Sequence, residues 1–177
     1  MTLENLRFLI YEVGRRLELK EVYIIGSAAI AATVPNPPEG ELTATRDVDV
    51  IPPGDAESLM DQIDLFLGEG SAFDEQRGYY AQGVSSKTPA YAPRNWQSRT
   101  IPVQTQTAVG RCMELNDLAV SKLGAGRDKD LAFVKQLADL GHINRETLLE
   151  RLTSVECSEE MRALIAARIA AATAAQN

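Results

Sequence analysis

The sequence predicts an α+β protein with a mixed β-sheet flanked by helices and a helical C-terminal part. Three features support this: helical spacing of apolar residues in 2–18, short β-rich runs in 21–104, and helical patterning from Glu114 onward. We expect an α/β core over residues 1–110 and a helical region over residues 111–177 packed on that core. The 177 residues, 45% of them hydrophobic, suit one domain with a small helical addition.

The composition and charge argue against several classes of protein. The net charge is −7, from 18 Lys and Arg against 25 Asp and Glu. Such a chain lacks the broad positive surface of a general DNA binder, although a local basic patch could still contact RNA. No stretch approaches the roughly 20 apolar residues of a membrane-spanning helix, and the N-terminus lacks a signal-peptide pattern. Cys112 and Cys157 have no Cys or His at metal-ligand spacing, which predicts reduced thiols in the cytoplasm.

A strand, a Gly-Ser pair and a helical stretch follow the first predicted helix. Glu21–Ile25 is short, apolar and β-rich, which predicts a buried strand. It ends at Gly26 and Ser27, and the small residues Ala28–Ala32 are typical of a helix. Glycine lets the backbone approach a ligand closely, and a helix N-terminus binds anions through free N–H groups. The alternative is an ordinary strand-to-helix turn with Ser27 as the N-cap.

Two aspartates, Asp47 and Asp49, lie in a predicted strand that follows a predicted loop over residues 35–43. Side chains alternate along a strand, so both carboxylates face one side of the run Thr45–Ile51 and Val48 faces the other. Neighbouring carboxylates repel each other unless water surrounds both or a divalent cation lies between them. Mg²⁺ prefers oxygen ligands and is often held by one or two carboxylates together with substrate phosphates. The alternative is an edge strand with one solvated face.

The middle of the chain predicts one helix and then two or three strands. Asp55 is expected to cap a helix that ends near Leu67. The predicted core face of that helix consists of Leu59, Ile63, Phe66 and Leu67. The strand candidates are Phe73–Val84 and Trp96–Gln104, and Pro102 favours an edge position or a strand end for the second one.

A charged segment lies within the helical C-terminal part. Lys122 and then Arg127-Asp128-Lys129-Asp130 precede apolar residues at helical spacing. The alternative interpretation is a solvated helix with local ion pairs. His142 is the single histidine, so Ser–His or Cys–His catalysis would have to use it. It lies at a predicted helix end, where positive charge is favoured, and we interpret it as a C-terminal helix residue.

The ordered set of Gly26-Ser27, Asp47-x-Asp49 and a later Lys/Arg-rich segment resembles the nucleotidyltransferase fold of the polymerase β type. In that family a Gly-Ser at a strand–helix junction holds a triphosphate, and an Asp-x-Asp on the next strand binds Mg²⁺. The chain is most similar to the bacterial branch with the AbiEii-type toxins and their uncharacterised relatives. Those proteins often carry a later Lys and then Arg-x-(Lys/Arg)-Asp on a helix, which Lys122 and Arg127–Asp130 resemble. The resemblance covers roughly residues 20–140 and implies a nucleotidyltransferase-like sheet.

The resemblance implies transfer of NMP from an NTP to a hydroxyl on RNA, protein or a small molecule. One or two Mg²⁺ ions held by Asp47 and Asp49 stabilise the charge that builds on the phosphate oxygens. The implied metal ligands are Asp47 and Asp49. The implied catalytic residues are the same two aspartates together with Lys122 and Asp130. The implied nucleotide-binding residues are Gly26, Ser27, Lys122, Arg127 and Lys129. In this scheme Asp130 orients Lys122 or Arg127, or helps to activate the acceptor hydroxyl.

One departure from the resemblance concerns a third carboxylate, which active members usually carry on a later strand. The strand candidate Thr100–Thr105 offers Gln104 and no acid. Asp74 and Glu75, on an earlier strand candidate, could substitute for it. Glu114 and Asp117 follow the candidate Thr100–Thr105 in the sequence. Without a third acid, two-metal chemistry is in doubt.

Two further functions therefore stay open. The chain could be a degenerate member that binds nucleotide without transferring it and works with a cognate toxin or antitoxin. It could also be a plain α+β interaction protein in which Asp47 and Asp49 are merely solvated.

Overall fold

The computed structural model describes residues 1–34, 42 and 45–176, and the chain divides into two compact units. The sheet unit consists of Met1–Thr88 and Thr100–Met113, and the helical unit consists of Pro89–Arg99 and Glu114–Asn177. A mixed five-stranded sheet with helices confirms the predicted α+β class. No helix in the described part of the chain is long and apolar enough to cross a membrane.

In its described residues the sheet unit contains three α-helices and five strands. Its helices are α1 (Leu3–Leu17), α2 (Glu57–Leu67) and α3 (Ala72–Arg77). Its strands are β1 (Glu21–Ile25), β2 (Asp47–Ile51), β3 (Tyr80–Gly83), β4 (Ile101–Gln104) and β5 (Val109–Cys112). Short 3₁₀ helices cover Ser27–Ala32 and Pro53–Asp55.

The strand order is β3-β2-β1-β5-β4, with both parallel and antiparallel neighbours. β1 runs antiparallel to β2 and parallel to β5. β2 runs parallel to β3, and β4 runs antiparallel to β5. β4 is therefore an edge strand, which confirms the edge position predicted for Pro102.

The two faces of the sheet differ in chemistry. One face, the helix face, carries buried residues such as Val48, Val50 and Ile24, and it packs against helices. A Cβ at Gly110 on this face would overlap the Ile10 side chain of α1. A Cβ at Gly83 would lie 2.6 Å from the Met60 Cα of α2, so glycine permits this close packing.

The opposite face, the polar face, is only partly covered. The strand residues that point to it are Glu21, Tyr23, Ile25, Asp47, Asp49, Ile51, Tyr80, Gln82, Pro102, Gln104, Val109 and Arg111. Most of them are half-buried or exposed, whereas Ile25 and Ile51 are buried. A sheet with one buried face and one wetter face follows from the alternation of side chains along each strand.

Up to residue 176, where the description ends, the helical unit contains four α-helices and two 3₁₀ helices. The α-helices are α4 (Leu115–Ala125), α5 (Asp128–Asp139), α6 (Arg145–Leu152) and α7 (Glu159–Ala172). The 3₁₀ helices are Trp96–Arg99 and Ala174–Gln176. The side chains of Glu114, Asn144 and Ser158 accept hydrogen bonds from backbone N–H groups at the starts of α4, α6 and α7 respectively.

Two predictions about α2 are wrong. Asp55 does not cap this helix, because Ala56 is the N-cap residue and the Asp55 carboxylate instead accepts the backbone N–H of Ser86 at 2.7 Å. Phe66 is not in the core and is 42% exposed, whereas Ile63 and Leu67 are fully buried. Consecutive side chains on a helix point about 100° apart, and Leu67 rather than Phe66 lies on the buried side together with Ile63.

The strand predictions in the middle of the chain need correction. Phe73–Val84 is not one strand, because its first half is α3, capped by the Ser71 hydroxyl, and only its second half forms β3. Trp96–Arg99 is a 3₁₀ helix, so only Ile101–Gln104 of that candidate is a strand. β5 was not predicted, because a glycine interrupts its four residues. The predicted loop over 35–43 lies outside the described residues, apart from Leu42.

Candidate functional site

The first group of predicted site residues lies where β1 ends. Ile25 pairs with Asp49 of β2, so the next residue, Gly26, lies beside the Asp49 side chain. A Cβ at Gly26 would overlap Asp49 Oδ2 and would lie 3.2 Å from Asp49 Cγ. The φ and ψ of Gly26 are 68° and −170°, a region that is essentially restricted to glycine. Glycine therefore allows both the turn and the close approach of the Asp49 carboxylate.

Ser27 is not the N-cap of the helix that follows this turn. Gly26 holds that position, with no side-chain cap hydrogen bond, so the alternative of a Ser27 cap is wrong. The stretch is helical, as predicted, but it is a 3₁₀ helix of six residues, Ser27–Ala32. So short a helix has little dipole, and any anion here would depend on nearby backbone N–H groups and the Ser27 hydroxyl.

Asp47 and Asp49 lie on the same side of β2, and both are half-buried. The Thr45 hydroxyl donates a hydrogen bond to the Asp47 carboxylate. On the neighbouring strand β3, Tyr80 lies opposite Asp47 and Gln82 lies opposite Asp49. Paired residues on adjacent strands point to the same face, so Tyr80 and Gln82 border the two carboxylates.

The charge of Asp47 affects its neighbour Tyr80. Burial raises the pKa of the Tyr80 hydroxyl, and the negative charges of Glu69 and Asp47 raise it further. The Tyr80 hydroxyl therefore stays protonated at neutral pH and can donate a hydrogen bond at this face.

The side chains on β2 include two oxygen donors of the kind that Mg²⁺ prefers. Two carboxylates on one face supply hard oxygen ligands, and the Gly26 turn leaves space for Asp49 to lie against it. Within the described ranges, no group of three or more His, Cys, Asp or Glu residues could hold a metal ion. An ion bound here would complete its coordination with water or with substrate oxygens, as Mg²⁺ commonly does.

None of the acids considered as a third ligand lies beside Asp47 and Asp49 in the strand pairing. The neighbouring strand β3 presents Tyr80 and Gln82 instead of an acid. Gln104 lies on the edge strand β4, separated from β2 by β5 and β1.

All four acids considered as the third ligand lie on helices or at their ends. Asp74 and Glu75 are in helix α3 and not on a strand, so that prediction is wrong. Asp74 accepts a hydrogen bond at 2.7 Å from Arg46. In the helical unit, Glu114 caps α4 and Asp117 lies in its first turn.

The second group of predicted residues lies at the junction of α4 and α5 in the helical unit. Asp130 is 0% exposed and accepts hydrogen bonds from Lys122 Nζ at 3.0 Å and from Arg127 Nε at 2.6 Å. The Lys122 ammonium also lies 4.6 Å from the centre of the Phe133 ring. Asp130 and Lys122 are buried, whereas Arg127 is exposed. The alternative of a solvated helix with local ion pairs therefore does not describe the buried pair of Lys122 and Asp130. Lys129, by contrast, is exposed.

The two cations determine the ionisation of Asp130. Burial works to raise the pKa of this carboxyl, but the hydrogen bonds from Arg127 and Lys122 outweigh burial and lower the pKa. Asp130 is therefore ionised at neutral pH. The three side chains together join the end of α4 to the start of α5, across the left-handed turn at Gly126.

A family model described as a nucleotidyltransferase of unknown function (DUF6036) matches residues 2–170. The chain belongs to this nucleotidyltransferase family. The match spans most of the chain and supports a general nucleotidyltransferase role. No curated protein and no solved structure is significantly similar to the chain.

In this member of the family the predicted site residues form two groups. The sheet unit brings together Gly26, Ser27, Asp47 and Asp49. The helical unit brings together Lys122, Arg127 and Asp130, with Lys129 exposed nearby. The roles that the resemblance implies for these residues stay predictions.

Three polar-face residues of the sheet unit were not predicted as site residues. Tyr80 and Gln82 lie beside the carboxylates through the pairing of β2 with β3, and Arg111 reaches the same face through the pairing of β5 with β1. Tyr80 did belong to a noticeable tyrosine pair in the sequence, but nothing local indicates which strand it would lie beside.

A second buried acid, Asp117, was considered only as a metal ligand, and its structural partners were not predicted. Asp117 is 0% exposed and accepts two hydrogen bonds from Arg99, at 2.8 and 2.9 Å, while Arg151 Nε lies 3.3 Å away. Burial raises the pKa of this carboxyl, although Arg99 and Arg151 act in the opposite direction. The cluster links Arg99 to α4 and α6 within the helical unit.

Proposed function

We propose that this protein is a Mg²⁺-dependent nucleotidyltransferase that transfers NMP from an NTP to an acceptor hydroxyl, on RNA or on a protein. The observation that carries the proposal is the Asp49 carboxylate lying directly against the Gly26 turn, with Asp47 on the same face of β2. A close backbone turn beside two half-buried acids suits a cation-bound polyphosphate.

Asp47 and Asp49 would hold the Mg²⁺, and a bound ion would polarise the phosphate and neutralise developing charge. The Gly26 N–H and the Ser27 hydroxyl would bind terminal phosphate oxygens. In the reaction the acceptor oxygen forms a bond to the α-phosphorus, its proton passes to water, and the bond to the β-phosphate oxygen breaks to release pyrophosphate. The chain's own contribution is to position the triphosphate and to match its charge.

We keep the implied roles of the helical-unit residues within this proposal. The helical unit by itself offers Lys122 and Arg127 as cations for phosphate charge, with Lys129 as a further cation. Asp130 already accepts hydrogen bonds from Lys122 and Arg127, so its role would be to position them. The two free thiols, on Cys112 and Cys157, favour a reducing cytoplasmic location within the same proposal.

The second candidate is a degenerate relative of the AbiEii-type toxins that binds nucleotide and acts with a cognate toxin or antitoxin. Gln82 favours it, because an amide that cannot act as a base lies opposite Asp49. The absence of a three-acid group among the residues with described positions points the same way.

The decisive experiment is a transfer assay with each α-labelled NTP, Mg²⁺ and either total RNA or cell extract. We expect label to move to an acceptor with the wild-type chain and not with Asp47→Ala/Asp49→Ala. Asp61→Ala is the matched control, because Asp61 is an exposed acid on α2 of the same unit. Equal transfer by the double variant would refute the proposal.

Calorimetry and a partner search separate the two candidates. Binding of Mg²⁺ with a non-hydrolysable NTP, without transfer of label from any NTP and with a stable protein partner in a pull-down, would favour the degenerate member. If neither Mg²⁺ nor NTP raises the melting temperature, both candidates fail, because a ligand that binds only the folded state must stabilise it.

A further inference from the structure

We propose that Arg111 binds a phosphate of the NTP, and that Glu21 holds the Arg111 guanidinium when no nucleotide is present. This inference rests on the proposed function and adds a residue and an exchange of ion-pair partners to it.

The strand register places Arg111 on the same face as the two aspartates. Tyr23 of β1 pairs with Arg111 of β5, and Ile25 of the same strand pairs with Asp49 of β2. Tyr23 and Ile25 are two residues apart and point to one face, so Arg111 and Asp49 share it. Two strand spacings across and two residues along correspond to roughly 12 Å between their Cα atoms. A bound nucleotide would extend across such a separation.

Arg111 also lies at the correct end of the sheet. β1 and β5 are parallel, and Arg111 is the third of the four residues of β5. The carboxyl ends of both strands therefore meet at the edge where Gly26 follows β1. Ligands of open sheets with parallel strands commonly bind outside the carboxyl ends of those strands.

Charge distinguishes Arg111 from its neighbours. Among the residues of the five described strands, Arg111 is the one cationic side chain on the polar face. Asp47 and Asp49 lie on the other side of β1. A metal-bound triphosphate still carries negative charge beyond the oxygens that the metal neutralises, and Arg binds phosphate oxygens bidentately.

The ion pair between Arg111 and Glu21 is weak enough for a phosphate to replace it. Arg111 Nε donates to Glu21 Oε2 at 2.8 Å, and the two side chains are 39% and 43% exposed. An ion pair in contact with so much water contributes little stability. The guanidinium has further N–H donors on its terminal nitrogens, so a phosphate can begin to bind before the Glu21 contact breaks.

A plain structural ion pair and a phosphate-binding arginine predict different responses to mutation. In a structural pair, removing either charge disrupts the same contact, so Arg111→Gln and Glu21→Gln would alter nucleotide affinity in the same direction. In the proposed exchange, Glu21 competes with phosphate for Arg111. Arg111→Gln would then weaken nucleotide binding and Glu21→Gln would tighten it.

The test is calorimetric titration of each variant with Mg²⁺ and a non-hydrolysable NTP at low salt. We expect Arg111→Gln to weaken binding by about tenfold, because a charge-assisted hydrogen bond is lost. We expect Glu21→Gln to tighten binding by about two- to fivefold, because a competing surface ion pair is removed. The double variant should bind like Arg111→Gln alone, because Glu21 acts only through Arg111.

Two controls keep a negative result informative. Arg94→Gln removes one positive charge from an exposed pair in the helical unit, so it should leave affinity unchanged if the charge effect is local. Arg111→Gln and Glu21→Gln remove the same contact, so their melting temperatures should agree and cannot explain opposite changes in affinity.

Three results would overturn the inference. If Arg111→Gln binds within twofold of wild type while Asp49→Ala abolishes binding, Arg111 does not contact the nucleotide and the proposed function survives. If both single variants shift affinity in the same direction, the pair is structural. If the wild-type chain binds no Mg²⁺–NTP at all, the proposed function fails and this inference fails with it.

Discussion

The aspartates of the two units are held in opposite ways. In the helical unit, Asp117 and Asp130 are both 0% exposed, and each accepts hydrogen bonds from cationic side chains. In the sheet unit, Asp47 and Asp49 lie half-buried side by side on one strand. The described partner of Asp47 is the neutral hydroxyl of Thr45.

This difference separates structural acids from acids suited to bind a ligand. A fully buried carboxylate must be paired with a cation of the protein, because an unpaired buried charge is strongly destabilising. The half-buried carboxylates of Asp47 and Asp49 are in contact with water, and a Mg²⁺ ion keeps part of its own water shell when carboxylates bind it. The same residue type therefore stabilises one unit and forms the candidate binding site of the other.

The largest expected effect is the loss of stability when the buried acid Asp130 is removed, compared with removal of the half-buried acid Asp47. Asp130→Ala leaves Lys122 buried without its partner, so we expect it to lower the free energy of unfolding by about 3–5 kcal/mol. Asp47→Ala should change it by less than about 0.5 kcal/mol. Urea denaturation at pH 7 measures both, with the exposed Lys129→Ala as a control for the α5 start. Equal losses for the two acids would remove the distinction between the units.

A second prediction concerns the turn beside Asp49. Gly26→Ala should lower the free energy of unfolding by about 1–3 kcal/mol, because its φ and ψ suit only glycine. It should also weaken Mn²⁺ binding, because the new Cβ displaces the Asp49 carboxylate. Denaturation and electron paramagnetic resonance of free Mn²⁺ measure the two effects.

Gly54→Ala is the matched control for that turn. Gly54 also has a positive φ, 67°, but a Cβ there would meet nothing within 4 Å. Gly54→Ala should lower the free energy of unfolding by about 1 kcal/mol, from backbone strain alone. The affinity for Mn²⁺ should stay unchanged. Loss of Mn²⁺ binding in both variants would show that strain, and not the Asp49 contact, matters.

A third prediction tests the position opposite Asp49. Gln82→Glu adds a carboxylate to the polar face next to Asp49, so Mn²⁺ binding should tighten about tenfold, equivalent to roughly 1.4 kcal/mol. Gln104→Glu adds the same charge to the same face on the edge strand β4 and should have almost no effect. Equal tightening in the two variants would mean that net charge alone attracts the metal.

The smallest effect is a pH dependence within the helical unit. The pKa of Asp130 is lowered from 3.8, so its ion pairs stabilise the fold above about pH 5 and lose that contribution as the pH falls through the lowered pKa. The stability difference between wild type and Asp130→Asn should therefore shrink below about pH 4. The pKa of Asp117 is raised, so the stability of wild type relative to Asp117→Asn should increase as the pH falls through that raised pKa. Urea denaturation between pH 3 and pH 7 measures both trends, and parallel trends would contradict the assigned directions.

Elements with strong local signals could be predicted from the sequence. The helical spacing of apolar residues in 2–18 predicted α1, which begins after the Thr2 hydroxyl accepts the Asn5 backbone N–H. β1 and β2 lie where their apolar and alternating patterns placed them. The short strand β5 could not be predicted, because its four residues form a strand only through pairing with β1 and β4.

The sequence by itself determined that Asp47 and Asp49 share one face, because the two-residue alternation of a strand is local. Only the tertiary structure decided what else borders that face. The pairing of strands brings Gly26, Gln82 and Arg111 to it from separate parts of the chain. That register depends on burying the opposite face of the whole sheet beneath α1 and α2, and no local sequence pattern contains this information.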